Sequence, residues 1–420
     1  MPLRPFNIMA KPVSGVCNLA CRYCYYLDKP AELYPDVRHF MMSDEVLDSH
    51  VRQYLAAMPV QAEFGWQGGE PLLAGLDFFR KAVALQEQYA QPGQIIHNAL
   101  QTNGTLLTDE WCLFLAEKRF LVGISLDGSP QWHDRFRLDK AGGPTFHRAW
   151  AGLELLRRHG VEFNILVTLN SINAPHAGDI YRYFVNRGID YLQFIPVLER
   201  NADGSPTDYS CTAQQFGKFM LDVFEQWASR DVGKVSERMI DNMLHTLIYG
   251  SAAMCCYAER CANAYVLEFN GDLYACDHFV YTQWKIGNIL QRPLAELAQD
   301  PRLDDFAAHK TQLPESCRHC EFLMYCHSGC PKHHMPLGTE ASRVNHFCDG
   351  IKAFLGAALP ELARMAEYFK RGEMPPLKSA APAPAAPTPA GPQRLSMAAR
   401  RNDPCPCGSG RKFKNCCNRK

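Results

Sequence analysis

Nowhere in this chain do about eighteen apolar residues run together, so no segment has the length to cross a bilayer as a helix. The N-terminal stretch Met1–Lys11 carries no sustained apolar run ahead of its lysine. No secretory signal is therefore expected there. Net charge is also missing. Lys+Arg and Asp+Glu both number 44, which removes any bulk attraction to nucleic acid or to an anionic membrane. Nucleic acid and membrane are accordingly not expected partners. Cysteine, in contrast, is abundant, with 18 residues. Without an export signal, that number points to a reducing, cytoplasmic setting and to metal ligation instead of disulfides.

Apolar strand-like runs alternate with helical patterns through the first half. The expected strands are Phe6–Lys11, Glu63–Gln67, Ile95–Gln101, Leu121–Leu126, Glu162–Leu169 and Tyr191–Pro196. Helical periodicity lies between them, near Ser43–Met58, Asp77–Tyr89, Thr108–Lys118, Phe146–His159 and Ala177–Arg187, with cap chemistry at Ser43, Asp44 and Thr108. Such alternation predicts an α/β fold with a parallel sheet and crossover helices. Six units are too few to close an eight-stranded barrel, so a partial (β/α)6 barrel with an open mouth is expected. Ala213–Ala228 and Ser236–Tyr249 read as further helices. Beyond them cysteines are dense and regular structure is sparse, apart from a hairpin of Tyr265–Phe269 and Asp272–Cys276 turning at Asn270-Gly271. Helical pattern returns at Ile351–Arg371. Residues 374–397 are rich in Ala and Pro and read as a linker. The expected domains are thus 1–235, a cysteine-rich 236–373, the linker 374–397, and a basic module at 398–420.

The first cysteine group, Cys17, Cys21 and Cys24, has the spacing C-x3-C-x2-C and follows the first strand. A 4Fe–4S cluster normally takes four thiolates. Three would leave one iron open to an outside ligand. They are also one short of a closed zinc site. A zinc knuckle or buried structural thiols are the plainer alternatives. A loop at the C-terminal end of a barrel strand is where such folds carry their active sites.

This motif resembles that of the radical S-adenosylmethionine (SAM) enzymes. There the open iron chelates the methionine moiety of SAM, and an electron from the cluster releases a 5′-deoxyadenosyl radical. Gly68-Gly69-Glu70-Pro71, after the second strand, matches the stretch that bonds the SAM amino group in that superfamily. Downstream, Cys255 or Cys256, Cys261, Cys276, Cys317, Cys320, Cys326, Cys330 and Cys348 resemble the SPASM domain, which carries two auxiliary 4Fe–4S clusters. The resemblance implies that Cys255, Cys261, Cys276 and Cys330 hold the first and that Cys317, Cys320, Cys326 and Cys348 hold the second. Cys256 stays open as the rival of Cys255. A pair of structural zinc sites is the alternative, since thiolate quartets suit either metal.

Several stretches together resemble the anaerobic sulfatase-maturating enzymes. They are Pro12–Tyr26, Trp66–Leu72, Gln101–Thr105, Ser125–Arg137, Gln193–Leu198 and Gly271–Phe279. The likeness runs over roughly residues 5 to 370. It implies an oxidoreductase that converts a cysteine or serine of a sulfatase precursor to Cα-formylglycine, recognised in a Cys/Ser-x-Pro-x-Arg segment. It also implies SAM contacts at Tyr23, Gly69, Ser125, Arg137 and Leu198, and a general base at Asp277, directly after Cys276. Loss of a Cβ hydrogen atom, a heteroatom proton and one electron makes a carbon–heteroatom double bond, and a carboxylate suits the proton. An external electron donor such as flavodoxin or ferredoxin is expected. Ser125 could also be a turn residue with a helix cap, and Asp277 a solvated turn acid. Tyr26 and Gln67 stand equally as substrate contacts or as packing. Cys112 and Cys211 read as structural thiols, His333 and His334 as surface residues. A SPASM maturase that crosslinks another peptide is the alternative within the same class, and a non-enzymatic metal scaffold the alternative outside it.

The C-terminal cysteines Cys405, Cys407, Cys416 and Cys417 follow C-x-C-x8-C-C and resemble the SEC-C motif. Four thiolates make a closed zinc site, and so small a module would need the metal to fold. The resemblance implies a protein partner for this tail.

Overall fold

The computed structural model describes residues 3–261, 263–334 and 344–378. Its first six strands are β1 (Asn7–Lys11), β2 (Gln61–Trp66), β3 (Ile95–Thr102), β4 (Leu121–Ser125), β5 (Phe163–Leu169) and β6 (Tyr191–Pro196). Each pairs in parallel with the next. The crossover helices are α1 (Asp44–Ala57), α2 (Leu76–Tyr89), α3 (Asp109–Glu117), α4 (Phe146–Arg158) and α5 (Ala177–Val185). Ser43 Oγ accepts from Val46 N at the start of α1, and Thr108 Oγ1 from Trp111 N at the start of α3. These bonds satisfy amides that a helix N-terminus leaves open.

Apart from short helical turns, the other elements are α6 (Ala213–Arg230), β7 (Ser236–Glu237), α7 (Arg238–Tyr249), β8 (Ala264–Glu268), β9 (Asp272–Tyr274), β10 (Lys285–Asn288), α8 (Pro301–Thr311) and α9 (Cys348–Lys370). Among the described residues, ten strands join one open sheet in the order β10-β9-β8-β1-β2-β3-β4-β5-β6-β7. The fold is therefore an α/β partial barrel that does not close. The strands beyond the expected six have a physical reason. An uncovered β1 would present a row of unpaired backbone groups. Strand β8 lies parallel to β1 along its whole length and covers that edge, with Lys11 facing Glu268 in register.

The expected hairpin forms by β8 and β9, and Gly271 takes the positive φ of +87° that its turn needs. The expected boundary at 235/236 falls inside one compact unit of residues 1–377, and a second unit begins at Lys378. Helix α9 starts earlier than its periodicity suggested, at Cys348. Cys112 and Cys211 are fully buried, as small apolar thiols should be. His333 and His334 depart from expectation. His334 is buried with Nε2 2.9 Å from Ser328 O, and the His333 ring lies 4.9 Å from that of Phe347. Two histidines in a polar-looking run suggest exposure, but the loop folds back onto the core around Phe347. No described helix is long and apolar enough to cross a membrane.

Candidate functional site

Because β1–β6 run in parallel, the segments after them gather at one edge of the sheet. Cys17, Cys21 and Cys24 occupy the irregular loop after β1, each half-buried and none in a disulfide. Their sulfurs are close enough to feel one another's charge. Burial pushes the Cys21 thiol up to about 12, against the nearby Arg137 guanidinium. Clustered thiols that resist ionising in isolation are relieved when a metal takes their protons' place. The loop is also built to receive negative sulfur. Leu19 N and Asn103 Nδ2 point at Cys17 Sγ from 3.4 and 3.7 Å, and the amides of Tyr26 and Leu27 favour the Cys24 thiolate. The residues present thus fit a three-thiolate cluster.

The Gly68-Gly69-Glu70-Pro71 segment is stitched to that loop. Gly69 N donates to Ser14 O at 2.7 Å and Glu70 N to Val16 O at 2.9 Å. A Cβ on Gly69 would lie 2.1 Å from Val16 O, so only glycine lets the two backbones approach this closely. Glu70 is fully buried and ties in the segment after β3. It accepts from Thr102 Oγ1 and Asn103 N, both at 2.8 Å. Asn103 in turn donates to Asn18 Oδ1 at 2.9 Å. Burial raises the Glu70 carboxyl to about 7, partly offset by those donors. That Glu70 and Asn103 brace the cysteine loop is not legible in either residue's local pattern.

Of the expected SAM contacts, Gly69, Ser125 and Leu198 fall after or at the ends of β2, β4 and β6. Tyr23 and Arg137 converge on Asp127, which is wholly buried. Tyr23 Oη donates to Asp127 Oδ2. Arg137 Nε lies 3.0 Å from the same oxygen, and Thr168 N donates to Asp127 Oδ1 at 2.9 Å. Asp127 therefore fixes Tyr23 and Arg137 and has little capacity left for a ligand. Ser125 Oγ accepts from Gln101 Nε2 at 3.1 Å.

Asp277 follows Cys276 and is far from a solvated turn acid, since its side chain is 17% exposed. Lys11 Nζ, fully buried, lies 2.6 Å from Asp277 Oδ1. Tyr25 Oη donates to Oδ2. Burial alone would raise the Asp277 pKa, but Lys11, His278 and the Tyr25 hydroxyl outweigh it and hold the carboxyl below its usual range. Asp277 is thus a carboxylate at neutral pH. Tyr26 is packed: its hydroxyl donates to the buried Glu268, and Lys11 Nζ sits 4.3 Å from its ring centroid. That geometry favours the packing alternative for Tyr26. Gln67 remains partly exposed after β2. Lys11 and Tyr25 went unnoticed in the sequence. A lysine ending an otherwise apolar strand was the available signal.

The downstream thiols gather into two sets. Cys276 feels Cys330 and Cys255, and Cys330 feels Cys255 and Cys261. Cys326 and Cys348 both feel Cys317 and Cys320. The last four line a cavity of about 280 Å³, room suited to a cluster, and amides of His278 and Lys332 favour the Cys276 and Cys330 thiolates. Cys255 is exposed, while Cys256 is partly buried and packs against the core. Cys255, not Cys256, is among the leading charges around Cys261, Cys276 and Cys330. Among the described residues, no three potential ligands converge on a single ion. Cys405, Cys407, Cys416 and Cys417 lie outside the described residues.

Comparison with known proteins agrees with this arrangement. The Radical SAM superfamily model matches residues 12–184, the SPASM iron–sulfur cluster-binding domain residues 255–321, and the SEC-C motif residues 401–419. A serine-type anaerobic sulfatase-maturating enzyme of Bacteroides thetaiotaomicron is 38% identical over 390 residues, covering 89% of this chain and 94% of the relative. A cysteine-type enzyme of Clostridium perfringens is 34% identical over 370 residues, covering 87% and 100%. The solved structure of native anSMEcpe with bound AdoMet and Cp18Cys peptide matches with a TM-score of 0.81 at 33% identity, covering 87% of this chain and 100% of that one. A cysteine loop braced at the open edge of a partial barrel, two further thiol sets and near full-length likeness at this identity have one meaning: the chain belongs to the anaerobic sulfatase-maturating enzymes of the radical SAM superfamily.

Proposed function

We propose that this enzyme oxidises a cysteine or serine side chain of a sulfatase precursor to Cα-formylglycine. The observation that carries the reading is the Asp277 carboxylate, held ionised by Lys11 and Tyr25 beside one of the downstream thiol sets. Cys17, Cys21 and Cys24 would hold the SAM-binding 4Fe–4S cluster. Cys255, Cys261, Cys276 and Cys330 would hold one auxiliary cluster, and Cys317, Cys320, Cys326 and Cys348 the other. When bound, these groups and SAM supply the radical that takes the Cβ hydrogen and a sink for the remaining electron.

The protein's own part is to hold and aim. Gly69, Ser125 and Leu198 would line the SAM pocket, with Tyr23 and Arg137 fixed there by Asp127. Asp277 would take the substrate's thiol or hydroxyl proton. Each carboxylate oxygen carries one described partner, and a carboxylate has lone pairs for more. The fixed Lys11 ammonium then loses a full counter-charge as Asp277 neutralises. That cost makes proton release back to solvent favourable once product leaves. Gln67 is the remaining candidate for holding the peptide. A flavodoxin- or ferredoxin-type protein would supply electrons.

Anaerobically reconstituted enzyme with SAM and reductant should convert peptides containing Cys-x-Pro-x-Arg or Ser-x-Pro-x-Arg to the aldehyde, read by mass spectrometry and hydrazide capture. SAM cleavage with neither peptide converted, or a crosslinked product instead, would overturn the assignment.

The tail is proposed to be a separate zinc module on a linker that begins near residue 374 and ends near 397, with a protein partner of its own. The compact unit ends at Leu377, so the tail should not support catalysis. Deleting residues from Met397 onward should remove about one zinc per chain, the content of one closed thiolate site. Peptide oxidation should stay within about twofold of the full chain, as expected where few contacts cross a linker. Loss of iron or of turnover would show that the tail belongs to the catalytic fold.

A further inference from the structure

Lys310, in the last turn of α8, is 1% exposed. Its Nζ donates to the Cys255 carbonyl at 2.6 Å. Burial pulls the Lys310 pKa below the usual lysine value, and the sulfurs of Cys256, Cys261, Cys330 and Cys255 are the charges that oppose this. From the second downstream set, Cys326 also senses it. Taking an ammonium out of water is costly unless an anion compensates it. Here the available anions are thiolates. A buried cation set between two thiol groups, and closer in influence to one of them, satisfies the Cys255 carbonyl and also brings a positive charge that a neutral donor would not.

Oxidation of the substrate leaves one electron after the Cβ hydrogen goes to the radical and the heteroatom proton to Asp277. Whichever thiolate-ligated group receives it gains one unit of negative charge. A nearby positive charge, in a medium of low dielectric, favours that more negative state. Asp277 is covalently next to Cys276, so the set containing Cys276 is the one adjacent to the reacting atoms.

We infer that Lys310 is a positioning residue for the electron: its fixed charge raises the electron affinity of the Cys255, Cys261, Cys276, Cys330 group relative to the Cys317, Cys320, Cys326, Cys348 group. This rests on the ligand assignment proposed above.

The test uses the full chain carrying Cys17→Ala, Cys21→Ala and Cys24→Ala, so that only auxiliary groups titrate. Potentiometric titration followed by electron paramagnetic resonance compares Lys310 with Lys310→Met, Lys310→Gln and Lys310→Arg. In the Met and Gln variants one auxiliary wave should move to lower potential. At fixed ambient potential its reduced-to-oxidised ratio should fall at least about tenfold, which is about 59 mV for a one-electron couple. The other wave should move less, and Arg should hold both near their parent positions. Unmoved waves in iron-replete Met and Gln variants would overturn the inference, as would an Arg variant that shifts as far as Met. Loss of iron from Met and Gln alike would make Lys310 a folding residue and overturn it too. Fewer than about eight irons per chain in the parent, the content of two 4Fe–4S clusters, would instead overturn the ligand assignment.

Discussion

Replacing Cys17, Cys21 and Cys24 together by alanine should abolish SAM cleavage and leave about eight of roughly twelve irons per chain, since each 4Fe–4S cluster draws on its own thiolates. The geometry makes the loss clean. The three thiols share one loop after β1, and the downstream sets are built from the segment before β8, the turn after β9, the segment after α8 and the start of α9. No cysteine is common to two sets. The loop is anchored by backbone bonds from Gly69 to Ser14 and from Glu70 to Val16, which need no cysteine side chain, so the barrel should fold without the thiols. Metal analysis and chromatography of 5′-deoxyadenosine read the two quantities. Undiminished 5′-deoxyadenosine would refute the assignment of the first cluster. Iron falling near zero would show that the three sets assemble as one.

The parts of this site that could be read in the sequence are those whose chemistry depends on spacing. C-x3-C-x2-C within one loop, Gly-Gly-Glu-Pro one strand later and the alternating strand and helix periods are all local patterns, and all six barrel strands formed within two residues of their expected limits. What stayed hidden depends on which strand lies beside which. Lys11 and Asp277 are far apart in sequence, and nothing in either neighbourhood pairs them. They meet because β8 docks on the free edge of β1, which sets Lys11 opposite Glu268 and brings the turn after β9 over the lysine. Tyr25 was overlooked for the same reason, its partner lying across that junction. Nothing in the local sequence singled out Lys310 among the lysines. Only the fold of the cysteine-rich segment around α8 buries it. Tyr26, just after the cysteine loop, was as plausible on substrate as in the core, and its bond to Glu268, which favours the core, lies across the same β1–β8 junction.

Asp277→Asn should keep the clusters and SAM cleavage while lowering aldehyde formation by about 10²- to 10⁴-fold, the usual contribution of a positioned general base. Asparagine keeps the shape and one acceptor oxygen but cannot take up a proton. Radical formation is tied to the loop after β1 and needs no such base, so the two activities should separate. The substitution also leaves the buried Lys11 without its 2.6 Å counter-ion, and breaking a buried pair is destabilising. Iron content and thermal stability must therefore be measured beside activity. Lys11→Met distinguishes lost charge from lost fold. It removes the leading influence that holds the Asp277 pKa down, while burial, which pushes it up, remains. The carboxyl should then be protonated over a wider acidic range. Aldehyde formation should fall at lower pH and recover as pH rises, whereas Asp277→Asn should show no recovery at any pH. Wild-type aldehyde yield from Asp277→Asn would mean that the carboxylate only anchors Lys11 and that the proton leaves by another route. A Lys11→Met profile parallel to wild type would mean that the ion pair does not set the state of the base.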